Sequence, residues 1–196
     1  MQKLKREDLY PLEEYARVRP EFREKVIAHK MNRQVQIGPS AMLSFEDRLT
    51  MQYQVQEMLR VERIFEPDGI RDELETYNPL IPDGTNWKAT MLLEYPDIEE
   101  RRTALVRLGG IEQRVWLRVA GFDPVYAIAD EDLDRTEGTK TSAVHFLRFE
   151  LSREMVRAVK QVAADVAVGI DHEHYRYALD PIPRAVRDAL ARDLSD

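Results

Sequence analysis

Arg114-Val115-Trp116-Leu117-Arg118-Val119 alternates polar and apolar side chains, Gly121-Phe122-Asp123-Pro124 follows as turn chemistry, and Val125-Tyr126-Ala127-Ile128 returns. Alternation with period two is the mark of a strand with one face buried, and the Gly-Pro punctuation between two such runs predicts an antiparallel hairpin. A second run of this kind, Ala143 to Leu151, lies downstream, and the short apolar runs Gln34–Ile37 and Ala41–Phe45 flank Gly38-Pro39-Ser40. Thr90 to Tyr95 reads as a further strand.

Helical segments surround these strands. Asp8 is placed to cap a first helix to about Val18, and a second is expected from Pro20 to about Asn32, with proline at the start where it is tolerated. Glu46 to Phe65 contains neither glycine nor proline, and Met51, Val55, Met58 and Leu59 recur at the spacing of one buried helical face. Pro67-Asp68-Gly69 is read as its stop, and Ile70 to Tyr77 as a short helix. Residues 78–87 have the composition of an ordered loop pinned by Trp87. Asp97 and Ser152 are caps for helices to about Leu108 and about Val162, and a terminal helix runs from Arg184 to about Leu194. Asp130 to Thr141 reads as the most mobile loop, and Val166–Ile170 suits either a last helical turn or a strand. The expected fold is α+β: one domain over residues 1–196, with a mostly antiparallel sheet and helices on one face and at the N-terminal end.

Composition narrows the chemistry. The chain has 196 residues, 43% hydrophobic and 33% charged, which is enough for a core without staples. Cys 0 removes disulfides, thiolate zinc sites, cysteine-held iron–sulfur clusters and cysteine nucleophiles. A net charge of -7 argues against sequence-independent nucleic-acid binding, which relies on neutralising phosphates. No stretch has the roughly 20 apolar residues of a spanning helix, and Met1 to Leu12 lacks an apolar signal core, so a cytoplasmic protein without a membrane partner is expected. None of the eight glycines forms a GxGxxG or Walker loop, and Gly-x-Ser-x-Gly is absent.

Four histidines remain as candidate chemistry. Asp171-His172-Glu173-His174 would place two imidazoles on one side of an extended segment, the start of a zinc, iron or manganese site completed by His29, His145, Glu46 or Asp47. The simpler reading of that pair is a solvated turn. His145 shares a face with Leu147 and Phe149 by alternation, so it is either a core histidine or a partly buried base. Glu46 and Asp47 stand at a positive helix end, an ordinary cap arrangement. Gln52, Gln54 and Gln56 make the middle of the long helix polar, so with Trp87 the pair Gln52 and Gln56 is a candidate pocket lining or partner surface.

Several longer runs bear on identity: Arg19-Pro20-Glu21-Phe22-Arg23, Ile27-Ala28-His29-Lys30, Phe45-Glu46-Asp47-Arg48 continuing into Gln52-Tyr53-Gln54-Val55-Gln56-Glu57-Met58, Asn78-Pro79-Leu80-Ile81-Pro82-Asp83-Gly84, and Thr141 to Phe149. Through these the chain resembles, along nearly its whole length, an uncharacterised bacterial family of unknown function. The resemblance implies genes beside those of a rubrerythrin-like di-iron protein and a cysteine-rich iron–sulfur oxidoreductase. It therefore implies a non-catalytic accessory or adaptor role in peroxide or oxygen defence through contact with such partners. Alternatives from the residues are a metal-dependent enzyme or metal-binding protein using iron, manganese or zinc at His29, His145, His172, Glu46 and Asp47, and a small-molecule-binding domain. A homodimer is expected on general grounds.

Overall fold

A computed structural model describes residues 2–129, 131 and 140–195. The period-two runs become nine strands among the described residues: β1 (Gln34–Ile37), β2 (Ala41–Phe45), β3 (Asn86–Leu93), β4 (Val115–Val119), β5 (Val125–Tyr126), β6 (Ile128–Ala129), β7 (Val144–Glu150), β8 (Val166–His172) and β9 (Tyr175–Leu179). The helices are α1 (Leu12–Lys30), α2 (Arg48–Glu62), α3 (Pro67–Tyr77), α4 (Ile98–Arg107), α5 (Arg153–Gln161) and α6 (Arg184–Ala191). The fold is α+β, as the patterning predicts. The strands, however, form two antiparallel sheets, of order β1-β2-β3-β7-β6 and β5-β4-β8-β9.

The point where the chain passes between sheets is Ala127. The returning run Val125–Ile128, read as one strand, splits there: Val125 and Tyr126 pair with β4, whereas Ile128 and Ala129 pair with β7. Inward residues of both sheets interdigitate in one apolar cluster that includes Leu43, Phe45, Trp87, Met91, Phe149, Leu117, Val168 and Ile170, closed by Val156, Val159, Val186 and Leu190 of the later helices. The N-terminal helices lie over the opposite side and carry apolar clusters of their own, one around Met51, Val55, Leu59, Ile70 and Ile81, another around Tyr15, Phe22 and Val26.

Three local expectations change, and the open reading of Val166–Ile170 is settled. Pro20 does not open a second helix; α1 runs through it. An interior proline forfeits one backbone hydrogen bond at a cost of about 3 kcal/mol. Tertiary contacts on both sides offset this: Phe22 packs against Tyr53 of α2 with ring centroids 6.1 Å apart, and Arg19 is paired with Glu57 of the same helix. Asp8 caps the preceding 3-10 turn, accepting from the Lys5 backbone N–H at 2.7 Å, and leaves α1 to begin after Pro11. Pro67 starts α3 at the helical position where its missing N–H is not needed. Val166–Ile170 is a strand because it lies between β4 and β9, with Gly169 against the Trp116 indole where a Cβ would overlap the ring.

The predicted caps Asp97 and Ser152 accept from the backbone N–H groups of Glu100 at 2.8 Å and Met155 at 3.3 Å. The loop expected at Asp130–Thr141 lies mostly outside the described residues. Among the described residues no helix is long and apolar enough to cross a membrane.

Candidate functional site

Strand alternation sends one set of side chains to the core and the other to the helical layer. In the five-stranded sheet Gln34 pairs with Ser44, Ser44 with Thr90 and Thr90 with Phe146, so these four form one row across the outer face. Above the row stand Met51 and Gln54 of α2, Tyr77 and Leu80 beside the end of α3, and Lys30 at the end of α1. They enclose a cleft of about 250 Å³, whose remaining walls are Leu92 and Val144.

Two of the polar groups that line this cleft are buried. Glu46 is buried at 4% exposure; its Oε1 accepts from the Thr90 hydroxyl and its Oε2 from the Thr50 hydroxyl, each at 2.6 Å. The Ser44 hydroxyl, also on the floor, is buried at 4% exposure and has no hydrogen-bond partner among the described residues. Leaving such a group unsatisfied costs about 1–3 kcal/mol.

An ion network fixes the acid from behind. Arg33, at 2% exposure, donates from Nε to the Phe45 carbonyl at 3.0 Å and from Nη2 to the Glu46 carbonyl at 3.2 Å. The same guanidinium binds the Asp193 carboxylate through Nη1 and Nη2, and its Nη1 stands 3.4 Å from Asp47 Oδ2. His29 Nε2 lies 2.6 Å from that Asp47 oxygen. Asp47 also caps α2, accepting from the Leu49 and Thr50 backbone N–H groups at 3.0 and 2.9 Å. Burial pushes the Asp47 carboxyl up, but Arg33, the Thr50 N–H and His29 outweigh it and hold the group below its ordinary value. At Asp193 burial wins over Arg33, and the carboxyl is pushed up to about 6.

The proposed metal ligands do not share one centre. His29 and Asp47 meet in the ion network, and Glu46 lies next to them on the cleft floor. His145, at 0% exposure, faces the core between the sheets, with Nε2 2.9 Å from the Thr141 hydroxyl and 3.8 Å from Glu112. His172, at the end of β8, donates from Nε2 to the Gly109 carbonyl at 3.1 Å and accepts from the His174 backbone N–H at Nδ1. No group of three or more histidine or carboxylate side chains suited to a metal ion occurs among the described residues. The reason is topological: the end of α1, the inner face of β7 and the end of β8 present their histidines to different surroundings.

The candidate pocket residues are corrected as well. Gln52 donates to the Asp8 carbonyl at 2.6 Å, and Gln56 accepts from the Tyr10 N–H at 2.6 Å, so both fasten the segment leading into α1. Trp87 belongs to β3, is 0% exposed and donates its indole N–H to the Leu190 carbonyl at 2.9 Å. Of the glutamine-rich stretch, Gln54 lines the cleft. Ser44, Thr90, Lys30 and Arg33 escape sequence reasoning. The one signal for them is the polar outward position of Ser44 and Thr90 within otherwise apolar strands.

A family model described as "Protein of unknown function (DUF3501)" matches residues 3–194. Among solved structures, the chain is similar to a crystal structure described as a novel protein of unknown function from Burkholderia pseudomallei K96243. The TM-score is 0.94 at 51% identity, covering 99% of this chain and 100% of that one. No curated protein matches the chain.

Proposed function

The chain belongs to the DUF3501 family of proteins of unknown function, and from that premise we propose that it is a cytoplasmic binding protein for a metabolite-sized molecule, held in the cleft over Ser44 and Thr90. The observation that carries this reading is the Ser44 hydroxyl, buried and, among the described residues, unpartnered on the floor of a cavity that also holds a buried carboxylate. A ligand head with a donor fits Glu46, whose two oxygens each accept one hydroxyl and keep further lone pairs. The Ser44 hydroxyl either donates to that head or accepts from it. Met51, Leu80, Leu92, Val144 and Phe146 supply apolar contact for the ligand body. A volume near 250 Å³ lies below the roughly 300–1,000 Å³ of drug-sized sites, which favours a small compound.

Fragment screening by amide NMR tests the reading, with Ser44→Leu filling the cleft. Small alcohols and amines with apolar bodies are expected to shift the amides of Ser44, Gln54 and Thr90 in the parent, and to lose that effect in a variant whose spectrum is otherwise retained. Shifts that persist in Ser44→Leu, or that fall elsewhere, overturn it.

The accessory role in peroxide or oxygen defence is a second reading. Its support is that a chain with Cys 0 leaves any thiolate-held iron to another protein. Affinity capture at native expression is expected to recover a rubrerythrin-like or iron–sulfur protein; recovery of neither removes it.

A further inference from the structure

A second cavity, of about 520 Å³, is separate from the cleft and lies between α4, the β1–β2 turn and β9 at the edge of the four-stranded sheet. Three tyrosines line it: Tyr95, Tyr175 and Tyr177. Tyr175 is 4% exposed, and its hydroxyl is fully engaged, accepting from the Ser40 N–H at 2.9 Å and donating to the Ile37 carbonyl at 2.6 Å. With the polar end tied down, the ring is what Tyr175 offers to the cavity. The Tyr177 ring lies 4.8 Å away, centroid to centroid, and is inclined at 57°, so the two rings make a corner.

That corner is set by the backbone beneath it. Gly38 has φ +67, and a Cβ there would fall 2.5 Å from Tyr177 Cγ and 2.9 Å from the Tyr175 hydroxyl oxygen. A side chain at position 38 would therefore displace both rings. The opposite wall comes from α4, with Glu99 and Glu100 in its first turn and Arg107 in its last. None of these three has an ion-pair partner among the described residues.

Aromatic faces carry negative quadrupole potential and attract cations, most effectively those that give up water easily. Two carboxylates on the wall formed by the first turn of α4 add an attractive field for the same charge, while Arg107 in the last turn presents the opposite sign at the other end of that wall. Methylated ammonium groups combine a positive charge with a weakly hydrated apolar surface, which matches tyrosine rings and carboxylates together. We propose that the cavity bounded by Tyr95, Tyr175 and Tyr177 and by Glu99 and Glu100 is a second binding site, for a methylated ammonium compound. Arg107 gives the site a place for a carboxylate borne by the same ligand, as in a betaine.

The test is isothermal titration of the full chain with choline, glycine betaine and 3,3-dimethyl-1-butanol, the neutral carbon isostere of choline. Choline is expected to bind about tenfold more tightly than the isostere, the factor that loss of the cation–aromatic attraction implies. Tyr177→Ala is expected to remove that preference and Tyr177→Phe to keep it. Ser44→Leu is expected to leave it unchanged, which separates this site from the cleft. Glycine betaine binding more tightly than choline, with the difference lost in Arg107→Met, places the carboxylate at Arg107. Equal binding of choline and its isostere, or no saturable binding of either cation, overturns the proposal.

Discussion

The guanidinium of Arg33 and the carboxylate of Asp193 are paired in the interior although 160 positions separate them in sequence. Arg33 simultaneously donates to the Phe45 and Glu46 carbonyls, so one buried cation ties the end of α1, the start of α2 and the last turn of the chain to the acid on the cleft floor.

Removing that cation leaves buried carboxylates without compensation. Arg33→Met is expected to destabilise the protein by about 3–5 kcal/mol, the range for breaking one side of a buried pair. Combining it with Asp193→Leu should restore a large share, because an apolar pair replaces an ionic one. Urea unfolding of the single and double variants measures both.

Asp193 also predicts a pH dependence. Its folded carboxyl titrates near 6 because burial outweighs Arg33, against 3.8 for an unperturbed aspartate. Between those values the folded state holds the proton more tightly than the unfolded chain does, so this contribution falls as pH rises from about 4 to about 6. The urea midpoint of the parent should therefore decline over that window relative to Asp193→Asn, in which the group is absent. Parallel profiles for the two proteins would remove this assignment.

Glu57 acts in the opposite direction. Arg19 and the Tyr15 hydroxyl bind its carboxylate at 2.7 to 2.8 Å, and with Arg19 as the first cause its carboxyl is lowered to about 2 from 4.5. The stabilisation is present above pH 4.5 and is lost as pH falls toward 2. Since the pair is partly solvated, Glu57→Gln should cost no more than about 1 kcal/mol at neutral pH. Acid unfolding followed by circular dichroism should begin less steeply in the variant.

Gln56 holds the entry to α1 at 0% exposure, through the Tyr10 N–H and carbonyl. Gln56→Ala strands these groups and is expected to cost about 1–3 kcal/mol. Hydrogen exchange should accelerate first in residues 4–10. Uniform acceleration across α2 and β2 would show instead that the side chain supports the whole helical layer.

Features governed by near neighbours are legible in the sequence itself. The alternation of Arg114–Val119 and Ala143–Leu151, and the caps Asp97 and Ser152, depend on side chains within a few residues of the groups they serve. Pro20 misleads because what keeps α1 continuous includes the distant partner Glu57 on another helix. Trp87 resembles a loop anchor because only its apolar bulk is local, while the Leu190 carbonyl that receives its N–H lies 103 positions away.

The candidate site follows the same division. Composition and pattern determined the α+β class, the lack of cysteine chemistry and the interest of Glu46 as an acid at a helix start. Tertiary structure decided everything that makes Glu46 part of a cleft: the register aligning Gln34, Ser44, Thr90 and Phe146, the helices roofing that row, and the Arg33–Asp193 pair behind it. It also dispersed the histidines. Local sequence specifies which way a side chain points along its own strand or helix, whereas strand pairing and helix docking decide which residues from distant segments share a space.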